Sequence, residues 1–184
     1  MQYVLSARLS MFALLEQSVR RYAFGRLSSQ IRNTRTNSTT IPKMAAPATQ
    51  WHDAFPTPPF DTPRMSAENL AEIIQQKVAG VDYLVVDVRR NDFENVFIKG
   101  AINLPAQSFY PTLSTTTTLL SKIPDVIFHC NSCTETGRGP RVAGWYATQI
   151  KQLGIITSKA WILDGGIKRF ESLYRDDDKL VVKL

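Results

Sequence analysis

Cys130 and Arg138 are separated by seven mostly polar residues, in a segment that begins as a strand and ends as a helix. Asp125-Val126-Ile127-Phe128 reads as a strand running into His129-Cys130, and Arg138-Gly139-Pro140-Arg141 opens an amphipathic helix. A free cysteine titrates near pH 8.5, and a helix N-terminus beside an arginine lowers that to roughly 3.5–7.5, so Cys130 is expected to be a thiolate at neutral pH. Backbone amides of Asn131, Ser132, Thr134, Thr136 and Gly137, with those of the first helical turn including Gly139, can converge on a tetrahedral oxyanion. Arg138 adds a planar fork for two of its oxygens. Gly137 and Gly139 let the backbone approach closely, and Pro140 suits a first turn, where its missing N–H costs nothing. The chemistry this arrangement supports is attack of a thiolate on a bound oxyanion. A lone cysteine after an apolar strand would be simple packing. Here the strand, the polar loop, Arg-Gly-Pro and a helix follow in the order a reactive site needs. His129, at a strand end, reads as a hydrogen-bonded structural residue rather than a base.

The elements that position this loop are legible from periodicity. Pro56 to Pro63 reads as an extended lead-in. Ser66 caps a predicted helix over Ala67–Val78, where Leu70, Ile73, Ile74 and Val78 recur near helical spacing. Tyr83–Val88 and Val126–Phe128 are continuous apolar runs of strand length, which suit a sheet covered on both faces. Ala101–Asn103 and Ala160–Leu163 are shorter strands. Arg138–Leu153 is the strongest helix, with Gly154 at its C′ position and Val142, Trp145, Tyr146, Gln149 and Ile150 on one face that serves as core. Ile167–Tyr174 is a short terminal helix, followed by a final extended segment. Thr115–Thr118, a polar β-branched run, reads as a loop or a frayed helix start. The alternation predicts an α/β fold, a single domain with a central, mostly parallel sheet and helices on both faces, and active residues beyond the carboxyl ends of strands.

Composition divides the chain. The net charge of +6 is carried by the first 50 residues, which hold seven bases (Arg8, Arg20, Arg21, Arg26, Arg32, Arg35, Lys43) and one acid, Glu16; the remainder is balanced. The basic character therefore does not indicate a nucleic-acid-binding domain. Residues 1–43, arginine-rich, hydroxyl-rich and poor in acids, are expected to be a mitochondrial transit peptide. The apolar stretch around Met11–Leu15 is too short to span a bilayer. Met44 offers an alternative start and with it a cytoplasmic or nuclear form. Residues 44–64 form the Pro-rich lead-in and 65–184 one compact domain. Two cysteines do not make a secreted disulfide scaffold, and with two histidines they do not make a structural zinc site.

His129-Cys130 followed by Arg138-Gly139-Pro140-Arg141-Val142-Ala143-Gly144-Trp145 resembles the active-site segment of the rhodanese-like superfamily, in its branch of M-phase inducer phosphatases and fungal arsenate reductases. Leu84-Val85-Val86-Asp87-Val88-Arg89 with Phe93, Ile98-Lys99-Gly100-Ala101-Ile102-Asn103-Leu104-Pro105 is similar to the upstream signature of that family, and Leu163-Asp164-Gly165-Gly166 with Phe170 to its C-terminal one. The resemblance implies a rhodanese-like domain and a protein phosphatase or arsenate reductase acting on a small oxyanion or phosphorylated substrate. It implies no cofactor, with glutathione and glutaredoxin as the reductant of an arsenate reductase. The chain departs from the pattern in two places. Seven residues lie between Cys130 and Arg138 where the phosphatase-type loop has five, so two must bulge outward or enlarge the ring. Phe97 stands where histidine usually precedes isoleucine, a change of packing rather than chemistry.

Cys133 creates a C-x-x-C spacing that supports a disulfide and a resolving role toward an oxidised or arsenylated Cys130. Counting from Cys133 leaves four residues before Arg138, so Cys130, which abuts the strand, is the expected nucleophile. Glu135 can protonate a leaving group if its side chain points inward, and is otherwise a solvated loop carboxylate. Asp92 and Glu94 read as an exposed turn, and Asp87 and Arg89 as structural. Three functions remain open at this point: phosphoryl or arsenate chemistry on Cys130, sulfur transfer through a Cys130 persulfide formed from a thiosulfate-type donor, and a non-catalytic rhodanese-like binding module.

Overall fold

The computed structural model describes residues 49–184; the predicted transit peptide and the Met44 start lie outside the described residues. Seven strands and five helices follow in the order β1 (Arg64–Met65), α1 (Ala67–Gln76), β2 (Tyr83–Asp87), β3 (Val96–Ile98), β4 (Ile102–Asn103), α2 (Ala106–Phe109), α3 (Leu113–Leu120), β5 (Asp125–His129), α4 (Arg138–Gln152), β6 (Lys159–Leu163), α5 (Gly166–Tyr174) and β7 (Val181–Lys183). Five strands form one sheet in the order β1-β6-β5-β2-β4, with every pairing parallel. β3 and β7 pair antiparallel in a second, two-stranded sheet.

Alternation along the central strands sorts the core into two layers, as a sheet period of two requires. Val86, Val126, Phe128 and Ile162 face Phe109 of α2 and Val142, Tyr146 and Ile150 of α4. Val85, Ile127 and Leu163 face Leu70 of α1, Ile167 and Phe170 of α5, and Ile98 and Val181 of the small sheet. Each such fully buried side chain contributes about 1.5–3 kcal/mol. The helices thus cover both faces, as the apolar runs implied.

Ser66 caps α1 by accepting from the Asn69 amide at 3.1 Å. The helix stops at Gln76 rather than Val78, because Asp82 captures the Val78 amide at 2.8 Å and draws the chain into a turn, leaving Val78 exposed. Helix α4 ends one residue before the expected Leu153. Gly154 donates to Lys151 at 3.1 Å and Ile155 to Ile150 at 2.9 Å, the paired bonds of a Schellman closure. The threonine run corrects a sequence expectation: Thr115–Thr118 is neither a loop nor a helix start but the middle of α3. Thr117 and Leu120 bury one side of that helix, and the Thr118 hydroxyl bonds back to the Ser114 carbonyl at 3.0 Å. Packing has overridden the weak helix preference of β-branched residues. The lead-in is extended, as its prolines predict, and lies against α4, where the Trp145 indole donates to the Pro56 carbonyl at 2.7 Å.

Candidate active site

Cys130 is the first residue beyond β5, and its sulfur lies at the carboxyl end of the parallel sheet, the usual ligand-binding end of such folds. Both cysteines are buried and free, Cys130 with 4 % and Cys133 with 2 % of its surface exposed. Their sulfurs lie 3.7 Å apart, and the Cys130 amide donates to Cys133 Sγ at 3.3 Å. The Cys130 thiol is pulled down to about 5, chiefly by the hydrogen bond from the Cys133 thiol, then by the amides of Gly139 and Cys133 and the charge of Arg138, all acting against the penalty of burial. The same contact, burial and the negative charge on Cys130 push the Cys133 thiol well above its ordinary value. The pair therefore holds one proton at neutral pH, and it sits on Cys133, because the α4 N-terminus and the guanidinium act on Cys130.

Arg138 is the first residue of α4, and its guanidinium is held in a bidentate pair with Asp92, Nη1 to Oδ1 at 2.8 Å and Nη2 to Oδ2 at 2.5 Å. Asp92 also accepts from Asn131 Nδ2 at 2.6 Å. The Arg138 fork holds the Asp92 carboxyl well below the usual carboxylate range, so it is an anion at every working pH. Asp92 is thus not the exposed turn residue its sequence position suggested, but a half-buried member of the site. Its position follows from a buried ion pair. Asp87, at the end of β2, binds Arg89 Nε and Nη2 at 2.9 and 2.7 Å, and Arg89 Nη2 reaches the Val96 carbonyl at 2.8 Å while Nη1 reaches that of Asp92 at 3.3 Å. Arg89 therefore fixes the segment that presents Asp92, and the structural reading of Asp87 and Arg89 stands. His129 is fully buried beneath them, its Nδ1 3.3 Å from the Cys130 carbonyl and its Nε2 3.6 Å from Asp87 Oδ2. Burial pushes its pKa down, which keeps it neutral.

The loop between the cysteine and the arginine divides into an inner and an outer half. Its inner half is anchored by α5, whose Ile167 and Lys168 amides donate to the carbonyls of Cys130 and Asn131 at 2.9 and 3.0 Å. Gly166 has φ +60, and a Cβ there would lie 2.6 Å from both carbonyl oxygens. In the outer half the Gly137 amide donates to the Thr134 carbonyl at 2.9 Å, closing a turn over Thr134–Gly137 in which Thr134, Glu135 and Thr136 are exposed. Ser132 is exposed as well, whereas Gly139 is buried against the thiols. This outer turn takes up the length beyond a five-residue loop. The loop residues named from sequence thus separate: Cys130, Asn131, Cys133, Arg138 and Gly139 converge, Gly137 is engaged within the loop, and Ser132, Thr134, Glu135 and Thr136 form its solvent rim. Arg64 of β1, for which spacing offered no signal, donates to the Cys133 carbonyl and to Asp164 Oδ1, both at 3.0 Å. Phe97 stacks on Phe93, a packing role as expected.

Comparison with known proteins gives concordant results. A model of the rhodanese-like domain matches residues 66–173. Arsenical-resistance protein 2 of Saccharomyces cerevisiae is 36% identical over 112 residues, which are 55% of this chain and 84% of that protein. The structure of an As-Sb reductase from Leishmania major is 25% identical, with a TM-score of 0.58 over 67% of this chain and 93% of that one. A yeast protein tyrosine phosphatase of the rhodanese family has the same TM-score, 0.58, at 22% identity, covering 66% of this chain and 92% of its own, and speaks to the fold.

Proposed function

The chain belongs to the rhodanese-like domain family, and from that premise we propose that it is a cysteine-dependent enzyme of the phosphatase and arsenate reductase type, with Cys130 the nucleophile toward a tetrahedral oxyanion. The observation that carries this reading is the placement of Cys130 directly after β5, against the N-terminus of α4 that Arg138 opens and 3.7 Å from the Cys133 sulfur, surroundings that pull its thiol down. In the phosphatase reaction Cys130 Sγ forms a bond to phosphorus while the bond to the leaving oxygen breaks, and that oxygen departs with the electron pair and takes a proton. Water then cleaves the phosphocysteine and restores the thiolate. Arg138 and the free amides of the loop balance the charge that spreads over the equatorial oxygens. Glu135, exposed on the rim of the loop, is the candidate donor of that proton. An incoming dianion shares the Arg138 guanidinium with Asp92.

Arsenate has the shape and charge of phosphate, so the same cradle accepts it. The names of the yeast and Leishmania relatives support arsenic as the physiological centre of attack. With arsenate the cysteinyl adduct is resolved by a thiol rather than by water, since arsenic must gain two electrons. We assign glutathione and glutaredoxin as the external reductant in steady state. The test is a parallel assay of the full chain with p-nitrophenyl phosphate, with arsenate plus glutathione and glutaredoxin, and with thiosulfate plus cyanide. Turnover of either oxyanion supports the proposal. Turnover of thiosulfate alone would replace it with sulfur transfer, and silence on all three with a binding module.

A further inference from the structure

Cys133 occupies a costly position. Its φ is +46, one of two positive values among described non-glycine residues, and a side chain with a Cβ in that region costs roughly 1–2 kcal/mol. Gly139 leaves space for it: a Cβ on Gly139 would lie 2.7 Å from Cys133 Sγ. Arg64 holds the Cys133 carbonyl from a distant strand at 3.0 Å. Together these features aim Cys133 Sγ at Cys130 Sγ, 3.7 Å away. A residue needed only to donate a hydrogen bond to the thiolate would serve better as serine, whose hydroxyl is the stronger donor. A residue needed only for packing would not require left-handed backbone. What a second sulfur adds is the ability to form a bond to the first.

We propose that Cys133 is the resolving thiol of arsenate reduction, so that one round runs on the two cysteines alone, ends in a Cys130–Cys133 disulfide, and leaves the enzyme to be reset by a dithiol. This rests on the reading of Cys130 as the oxyanion nucleophile. In the first step the Cys130 thiolate bonds to arsenic, and one arsenate oxygen leaves as water after taking up protons. In the second step Cys133 Sγ attacks Cys130 Sγ. The sulfur–sulfur bond forms as the sulfur–arsenic bond breaks, the electron pair of that bond stays on arsenic, and the thiol proton passes to an arsenite oxygen. Arsenic falls from pentavalent to trivalent, and the two sulfurs supply the two electrons. Order is built in, because the hydrogen bond that ties the Cys133 thiol to the Cys130 thiolate is lost once Cys130 carries arsenic, while burial keeps the Cys133 proton in place until an adduct oxygen can accept it. Phosphorus is not reduced, so a phosphocysteine passes to water instead. The 3.7 Å gap must close to the roughly 2.05 Å of a disulfide, a displacement within reach of side-chain rotation in a loop.

The experiment is a single turnover without added thiol. The full chain is reduced, desalted under argon and mixed with arsenate, and arsenite, titratable thiols and the disulfide-linked peptide are measured. Wild-type protein is expected to release about one arsenite per chain and to lose both thiols into a Cys130–Cys133 link. Cys133→Ser should yield less than about a tenth as much without thiol and recover when glutathione is supplied. Should that variant fail to fold, the wild-type stoichiometry and peptide map decide alone. Arsenite from wild type only when glutathione is present, or an undiminished yield from Cys133→Ser, would overturn the resolving role and leave the Cys130 reading intact. No arsenite with or without glutathione would overturn the arsenate reading and the resolving role together.

Discussion

Asp92 grips the Arg138 guanidinium with both carboxylate oxygens, at 2.8 and 2.5 Å, and so occupies the fork that an oxyanion must share. The pair is partly exposed, with a quarter of the Arg138 side chain and a third of that of Asp92 in contact with solvent. Removing the competing charge while keeping the shape is therefore worth about 1 kcal/mol, or roughly fivefold in affinity. Asp92→Asn is expected to bind orthovanadate about fivefold more tightly, read as the inhibition constant against p-nitrophenyl phosphate hydrolysis. Weaker binding would mean that Asp92 serves to position Arg138 rather than to compete for it.

The pH dependence follows from the thiol pair. Cys130 is lowered to about 5, with the Cys133 hydrogen bond as its largest cause. The thiolate is present above that pH and lost below it. Alkylation of Cys130 by iodoacetamide, followed by peptide mass spectrometry, should therefore be level from neutrality down to about pH 6 and fall about tenfold per unit below 5. Cys133→Ala should move the midpoint upward. A midpoint near 8.5 in the wild-type chain would contradict the assignment of the shared proton to Cys133.

Asp87 is completely buried and binds Arg89, which holds the Asp92 segment. Asp87→Ala leaves a buried guanidinium without its partner, which costs about 3–5 kcal/mol. Urea unfolding should register that loss.

Gly166 combines φ +60 with an approach that allows no Cβ, 2.6 Å from the Cys130 and Asn131 carbonyl oxygens. Gly166→Ala is expected to destabilise the fold by about 2–4 kcal/mol. Because those carbonyls anchor the nucleophile loop, catalysis should fall as well. An unchanged denaturation midpoint would show that the α5 N-terminus yields without strain.

The central strands and α4 were legible in the sequence because burial on both faces writes continuous apolar runs, and because Gly154 closes a helix of strong periodicity. The Cys130 to Arg138 pairing was legible because its elements are contiguous. Asp92 and Arg64 were not, since each reaches the loop across the fold, from 46 residues away to Arg138 in one case and 69 to Cys133 in the other. α3 was obscured by four threonines in succession, whose helical state depends on the packing of Thr117 and Leu120. β3 was missed because three residues pair only with the distant β7. The surplus length of the loop was visible, but the turn at Thr134–Gly137 that absorbs it depends on a backbone bond that residue types do not specify.

The most direct test of the account is oxyanion turnover by Cys130→Ser beside the wild-type chain. A serine hydroxyl stays protonated where the thiolate does not, so the variant should retain its fold and lose p-nitrophenyl phosphate hydrolysis by about a thousandfold or more. Activity within a few-fold of wild type would remove Cys130 as the nucleophile.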